Sequence, residues 1–173
     1  MGGADKGLVP WQGEPLIAHV LRRVQPQVAR LLISANRNVE TYRAWAPVIA
    51  DPHPARFEGP LTGIHTALLA MTTDWLAVAP CDLPGLPLDA FARLAADLGG
   101  ATSAYAAPAG QSHSLVCLLH RSLAAPLGRF LAADGRRVSA WLSSTEARAV
   151  PFADAQAFRN FNAAADLRPA SRA

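Results

Sequence analysis

Lysine is almost missing from this 173-residue chain: Lys6 is the only one among 16 cationic side chains, and the rest are arginine. The excess of arginine, alanine and proline reflects a compositional bias that replaces lysine wherever either cation serves. A retained lysine then hints at a site that needs a compact point charge, not a planar guanidinium. Cysteine is scarce too. Cys81 and Cys117 show neither CxxC nor Cys/His ligand spacing, which argues against a disulfide framework or a zinc site and leaves two reduced, buried thiols as the expectation. No apolar run approaches the roughly 20 residues a membrane span needs, and the N-terminus lacks a basic-then-apolar leader, so a cytosolic, non-membrane protein is expected. Basic runs interleaved with aromatics are absent. The net charge of +3 and pI of about 9.4 suit an anionic substrate but are too scattered for nucleic acid.

What is present is apolar patterning. At 51% hydrophobic, the chain can bury one substantial core, and no repeat, linker or boundary divides residues 1–173, so a single domain is expected. The spacing of Ile17, Val20, Leu21 and Val24 behind Pro15 predicts a helix over about 15–25. A buried strand follows over Val28 to Ser34, then a short helix around Val39 to Trp45 and a brief strand at Val48 to Ala50. Pro52, Pro54, Gly59 and Pro60 mark a long loop before a helix over about 62–71 with Thr62 as its N-cap. Trp75 to Ala79 reads as a strand stopping at Pro80-Cys81-Asp82-Leu83-Pro84, and a helix over about 88–98 comes next.

This alternation predicts helices covering both faces of a mostly parallel sheet. Beyond residue 100, strands at Thr102 to Ala107 and Leu115 to Leu119 flank Pro108-Ala109-Gly110, which suggests an antiparallel element in the C-terminal half. Helices around Leu123 to Ala133 and Val138 to Leu142, a strand near Ala147 to Phe152 and an Ala-rich helix in the tail complete the pattern. In such sheets ligands bind beyond the carboxyl ends of the strands. Asn36, Asp51 and Asp82 each follow a predicted strand, so three polar residues distant in sequence converge on one crevice.

Met1-Gly2-Gly3-Ala4-Asp5-Lys6-Gly7 joins three glycines, which let backbone approach phosphate, to that one lysine. With Gly59-Pro60-Leu61-Thr62-Gly63, Ser34-Ala35-Asn36-Arg37, Pro80-Cys81-Asp82-Leu83-Pro84, Gly135-Arg136-Arg137-Val138 and Phe161-Asn162 in this order, the chain resembles the molybdenum cofactor guanylyltransferases. The start matches the closing half of their L-A-G-G-x-x-x-R-M-G-G-x-D-K signature.

The resemblance implies a three-layer α/β/α, Rossmann-like nucleotidyltransferase fold. It implies GTP and molybdopterin, or its molybdenum-loaded form, as substrates, Mg²⁺ as cofactor, and contact with molybdenum-insertion proteins or molybdoenzyme chaperones. Gly2, Gly3 and Lys6 would meet the GTP phosphates, Asn36 and Asp51 the guanosine, and Asp82 the metal. Arg136, Arg137, Asn160 and Asn162 would serve the pterin and phosphate side. Read without the resemblance, Asn36, Asp51 and Asp82 also suit ordinary turns, Asn160 and Asn162 a polar strand edge, and Arg136 and Arg137 a solvated one. His113 reads as a structural histidine and the four tryptophans as packing residues.

The signature's L-A-G-G-x-x-x-R half and the strand before it have no counterpart, so the expectation is a sheet whose first strand is missing. Either the start was assigned at a methionine inside the motif, the preferred reading, or the chain is a true truncation, less stable and poorly active. Two other functions stay open: a non-catalytic nucleotide- or molybdopterin-binding protein on the same scaffold, and a cytidylyl- or sugar-phosphate nucleotidyltransferase.

Overall fold

The computed structural model describes residues 5–52 and 59–161. Its principal sheet has four strands, β5 (Trp75–Val78), β6 (Ser103–Pro108), β7 (His113–His120) and β8 (Arg148–Phe152), in the spatial order β5-β7-β6-β8. Strand β7 is antiparallel to both β5 and β6, while β6 and β8 are parallel. Three strands therefore share one direction and β7 alone is reversed, which is the antiparallel element expected after residue 100. A separate parallel pair joins β3 (Ile33–Ser34) to β4 (Val48–Ile49), and a two-residue hairpin joins β1 (Pro10–Trp11) to β2 (Glu14–Pro15).

Alternation along β7 fixes the layers. Val116 and Leu118 face a core shared with α1 (Leu16–Val24) and α4 (Ala90–Ala96), through Val20, Val24, Phe91 and Leu94. Cys117 and Leu119 face the opposite core, built by α3 (Pro60–Ala70), α5 (Ala124–Ala132) and α6 (Val138–Ser144), through Leu61, Leu127 and Trp141. Each large apolar side chain so buried contributes about 1.5–3 kcal/mol. A one-residue slip of β7 would exchange the two faces, so its register is firmly held.

No ladder joins the β3–β4 pair to the four-stranded sheet among the described residues. Helix α3 contacts β3, β4 and β5 and so carries the connection between them.

Several expected bounds change. The seven-residue strand expected at Val28 to Ser34 is regular only at Ile33–Ser34, because β4 offers partners to no more than those two residues; Val28 and Leu31 still pack against the core. Helix α3 begins at Pro60, capped by Gly59, and Thr62 lies inside its first turn. Gly59 adopts φ +80 and ψ −179, a conformation open essentially only to glycine, and this lets Pro60 start the helix two residues early. Strand β7 begins at His113, earlier than Leu115. Tyr105 pairs with Cys117 and Ala106 with His113, which puts Ser114, Leu115 and Val116 out of register. The two cysteines are free, Cys117 buried and Cys81 partly so. The tail expected to be helical lies outside the described residues, and no described helix is long and apolar enough to cross a membrane.

Candidate active site

The turn around Lys6 is organised by its neighbour Asp5. One carboxylate oxygen, Oδ1, caps the short 3-10 helix Lys6–Leu8 by accepting from the Gly7 amide at 3.2 Å, and it also accepts from the Tyr42 hydroxyl at 2.5 Å. The other, Oδ2, accepts from Asn38 Nδ2 at 3.0 Å. Asp5 thus pins the N-terminal turn to α2 (Val39–Arg43) and its cap. Burial and the bond to Asp5 push the Tyr42 phenol upward, so it remains a donor. A side chain on Gly7 would stand 2.4 Å from the Tyr42 oxygen, and the turn closes because there is none.

Lys6 reaches from this turn to Asp82, with Nζ 3.6 Å from Oδ2. The lysine side chain is half exposed and the aspartate is buried. Asp82 follows β5 in a turn anchored by the fully buried Leu83 and Leu86. Cys81, beside it, has its thiol pushed up to about 11 by burial and by Asp82, so it is protonated near neutral pH and unsuited to act as a nucleophile.

Asn36 and Asp51 hold each other. Asn36 Nδ2 donates to Asp51 Oδ2 at 2.7 Å, and the Asp51 amide donates to Asn36 Oδ1 at 2.8 Å. Oδ1 of Asp51 is buried with no hydrogen-bond partner among the described residues. Gly63 of α3 packs so closely here that a Cβ would lie 2.4 Å from Ser34 Oγ and 3.6 Å from Asp51 Oδ1. A cavity of about 220 Å³ opens between these groups, lined by Asp5, Ser34, Asn36, Arg37, Tyr42 and Cys81 among others. Asn36, through which Asp51 is attached, therefore shares a cavity with the immediate neighbours of Lys6 and Asp82.

The C-terminal segment closes on the other side of Asp82. The Phe161 amide donates to the Asp82 carbonyl at 2.9 Å, and Gly85 sits so near Ala157 that a Cβ would meet its carbonyl at 3.2 Å. This brings Asn160 to a second cavity, of about 490 Å³, shared with Ser112, His113, Ser114 and Arg137. The adjacent arginines differ. Arg136 is committed to its own loop, through Asp134 at 2.7 Å and the carbonyls of Leu131 and Gly135 at 2.9 and 3.0 Å. Arg137 lines the cavity.

Gly2, Gly3 and Asn162 lie outside the described residues. Asn160 lies in an irregular segment and not in a strand, so the expected strand face shared with Asn162 has no described counterpart. Asp5, Ser34 and Tyr42 are site residues that sequence reasoning passed over. Only Asp5 carried a local signal, as an N-cap residue type ahead of Lys6-Gly7.

The donor set discriminates among metals. No group of three or more His, Cys, Asp or Glu side chains gathers among the described residues, so nothing there resembles an all-protein zinc or calcium cage. A single buried carboxylate at a strand end suits magnesium, which keeps its waters and shares phosphate oxygens with its substrate.

Residues 1–149 match the family model of the MobA-like NTP transferase domain. A molybdenum cofactor guanylyltransferase of Yersinia pseudotuberculosis is 40% identical over 167 residues, 96% of this chain and 86% of that relative. Among solved structures, molybdopterin-guanine dinucleotide biosynthesis protein A from Archaeoglobus fulgidus aligns with a TM-score of 0.77 at 22% identity, over 95% of this chain and 88% of that one. A Mycobacterium tuberculosis H37Rv protein in complex with manganese gives a TM-score of 0.68 at 15% identity, over 87% and 83% of the two chains. At such identities these two likenesses concern the fold alone.

Proposed function

The chain belongs to the MobA-like NTP transferase family, and from that premise we propose that it transfers GMP from GTP to the terminal phosphate of molybdopterin or its molybdenum-loaded form. An acceptor phosphate oxygen bonds to the α-phosphorus of GTP, the bond from that phosphorus to the β-phosphate's bridging oxygen breaks, and pyrophosphate leaves with the electron pair. The products are the guanine dinucleotide cofactor and pyrophosphate.

One observation carries this reading. Asn36, Asp5 and Cys81, from three strand ends or turns distant in sequence, line one cavity, and Lys6 and Asp82, the chain neighbours of the last two, lie 3.6 Å apart. Phosphate is already an anionic nucleophile, so no general base is needed, and the protonated Cys81 thiol is no obstacle. What the site must supply is alignment and neutralisation of crowded negative charge.

Lys6 and Asp82 are suited to divide that task. In the free protein each charge offsets the other; with nucleotide bound, Lys6 would meet the phosphates and Asp82 would hold the cation. Mg²⁺ there would supply a positive charge shared among phosphate oxygens. Asn36 and Asp51 present a guanosine-binding pair whose orientation is set before the nucleotide arrives. Gly2 and Gly3 fit the phosphate loop that runs into Asp5, while Arg137, Asn160 and Asn162 serve the acceptor side; Arg136 holds the loop that presents Arg137.

The test is pyrophosphate release from GTP and molybdopterin, with and without Mg²⁺ and beside CTP. The expected outcome is Mg-dependent release with GTP well ahead of CTP. Binding without release would leave a non-catalytic protein, and preference for CTP would reassign the base.

A further inference from the structure

The larger cavity holds a histidine that the proposed reaction does not use. His113 opens β7 at the point where the β6–β7 ladder slips by three residues, and such an irregularity re-aims a side chain out of the sheet's alternation. Its ring leans on Phe158, with centroids 5.7 Å apart, and its Nε2 lies 3.1 Å from Asn160 Oδ1. Its Nδ1 is buried and has no hydrogen-bond partner among the described residues. In the neutral ring one nitrogen carries the proton, and the nitrogen facing an oxygen is the one that must donate. Nε2–H therefore donates to Oδ1 and Nδ1 is the bare acceptor.

That bond has a consequence for Asn160. With Oδ1 occupied, both N–H donors of its amide are left without a partner among the described residues of the cavity wall. Arg137 stands on the same cavity, and its guanidinium makes no hydrogen bond or ion pair among the described residues. Ser112 and Ser114, bonded to each other at 2.8 Å, add hydroxyl groups. Among the described residues no carboxylate lines the cavity. The result is a wall of donors around a space large enough for a phosphate and part of what it is attached to, and charge-assisted bonds of this kind are the strong ones for phosphate.

We propose that His113 is the positioning residue of the acceptor site: by holding Oδ1 of Asn160 it turns the amide N–H groups toward the acceptor's phosphate monoester, opposite Arg137. The assignment rests on the proposed transferase reaction, and the experiment separates the two. In steady-state assays His113→Leu should raise the KM for molybdopterin about tenfold, the scale of one charge-assisted hydrogen bond, and leave the KM for GTP unchanged. His113→Gln, whose amide can still donate to Oδ1, should recover most of the loss. A merely structural histidine would instead shift both KM values and the melting temperature together, in the Leu and Gln variants alike.

Asn160 supplies the sharper arm. Asn160→Asp, which replaces the N–H donors by a charged oxygen, should raise the acceptor KM more than Asn160→Ala does. An aspartate variant with near wild-type acceptor KM would mean that the amide presents its oxygen to the ligand, and would overturn the proposal. Should the wild-type chain release no pyrophosphate, the reaction reading fails but the cradle is still open to test. Titration with inorganic phosphate should then shift the Asn160 side-chain amide resonances in the wild type and not in His113→Leu; unmoved wild-type resonances would overturn it.

Discussion

The two cavities, one lined by Cys81 and the other by Asn160, differ in how their polar groups are committed. Around the smaller one, side chains hold one another: Asn36 is doubly bonded to Asp51, and Asp5 is bonded to Gly7, Asn38 and Tyr42. Around the larger one, the amide donors of Asn160 and the guanidinium of Arg137 have no described protein partner. A wall whose side chains are mostly tied to one another has a fixed shape and discriminates by fit. A wall of unsatisfied donors gains its energy from the ligand's charge. Substitutions on the first side should therefore propagate between neighbours, and those on the second should stay local.

Asp82 touches both regions, through Lys6 on one side and the Phe161 amide on the other, so its loss should be the most severe. Asp82→Ala is expected to lower Mg-dependent pyrophosphate release by about 10³-fold or more, the scale of removing a preorganised electrostatic group. A near-normal rate would remove Asp82 from the metal role.

Next in size is the coupling of Asn36 and Asp51. Either change to alanine should raise the KM for GTP by about 10- to 100-fold, the range of a lost charged hydrogen bond with its partner left unpaired. Because the pair acts as a unit, the double variant should be no worse than the single ones. Arg137→Ala, by contrast, should raise only the acceptor KM, and its effect should add to either. Simple additivity of Asn36→Ala and Asp51→Ala would erase the distinction between the two sides.

Much of the smaller site was legible in the sequence, because strand ends announce themselves. A short apolar run stopping at Asp82, or at Asp51, marks both the element and the polar residue beyond it. Asn36 was found in the same way even though its strand is regular over only two residues. The partnership of Asp5 with Tyr42 was not legible, since nothing local says that a carboxylate at position 5 and a phenol at position 42 will meet. His113 is visible in the sequence near a strand start and reads there as structural; the ladder slip that starts β7 at His113 and not at Leu115, and so sets its place on the cavity, has no local sign. Arg136 and Arg137 look alike in sequence; only the turn at Asp134, which engages the first, separates them.

A gentler disturbance of the fixed side comes from Gly63. In Gly63→Ala the new methyl would meet Ser34 Oγ at 2.4 Å, so that hydroxyl must rotate, and the Ser34 Cβ at 3.3 Å leaves little slack. Alanine is the better helix former by about 1 kcal/mol, which offsets part of the crowding. Stability should then change little while the KM for GTP rises about fivefold, as expected for overpacking of a fixed wall. Ser34→Ala in the same chain should restore it. A rise in the acceptor KM instead would show that crowding crosses Asp82, and that the two walls are one.

The smallest expected effect tests how the two sides are fastened together at the surface. The β1–β2 hairpin packs the Trp11 ring against Phe161, with centroids 4.9 Å apart, and Trp11 is held in turn by His19, whose Nε2 donates to the Trp11 carbonyl at 2.9 Å. Arg22 donates to His19 Nδ1 at 3.0 Å and, through both terminal nitrogens, to Glu14 at 3.0 and 2.7 Å. The Arg22 hydrogen bonds hold the Glu14 carboxyl below its ordinary value of 4.5. A carboxyl lowered in the folded state stabilises that state above its ordinary range, and the contribution disappears as the pH falls through the lowered value. The melting temperature should accordingly fall slightly more on acidification below pH 4.5 in the wild type than in Glu14→Gln, by calorimetry in low salt. Because the pair is fully exposed, salt should shrink that difference, with kcat and both KM values at neutral pH unaffected. Loss of acceptor binding in Glu14→Gln would instead mean that the Trp11–Phe161 contact, and with it the open wall at Asn160, depends on this surface pair.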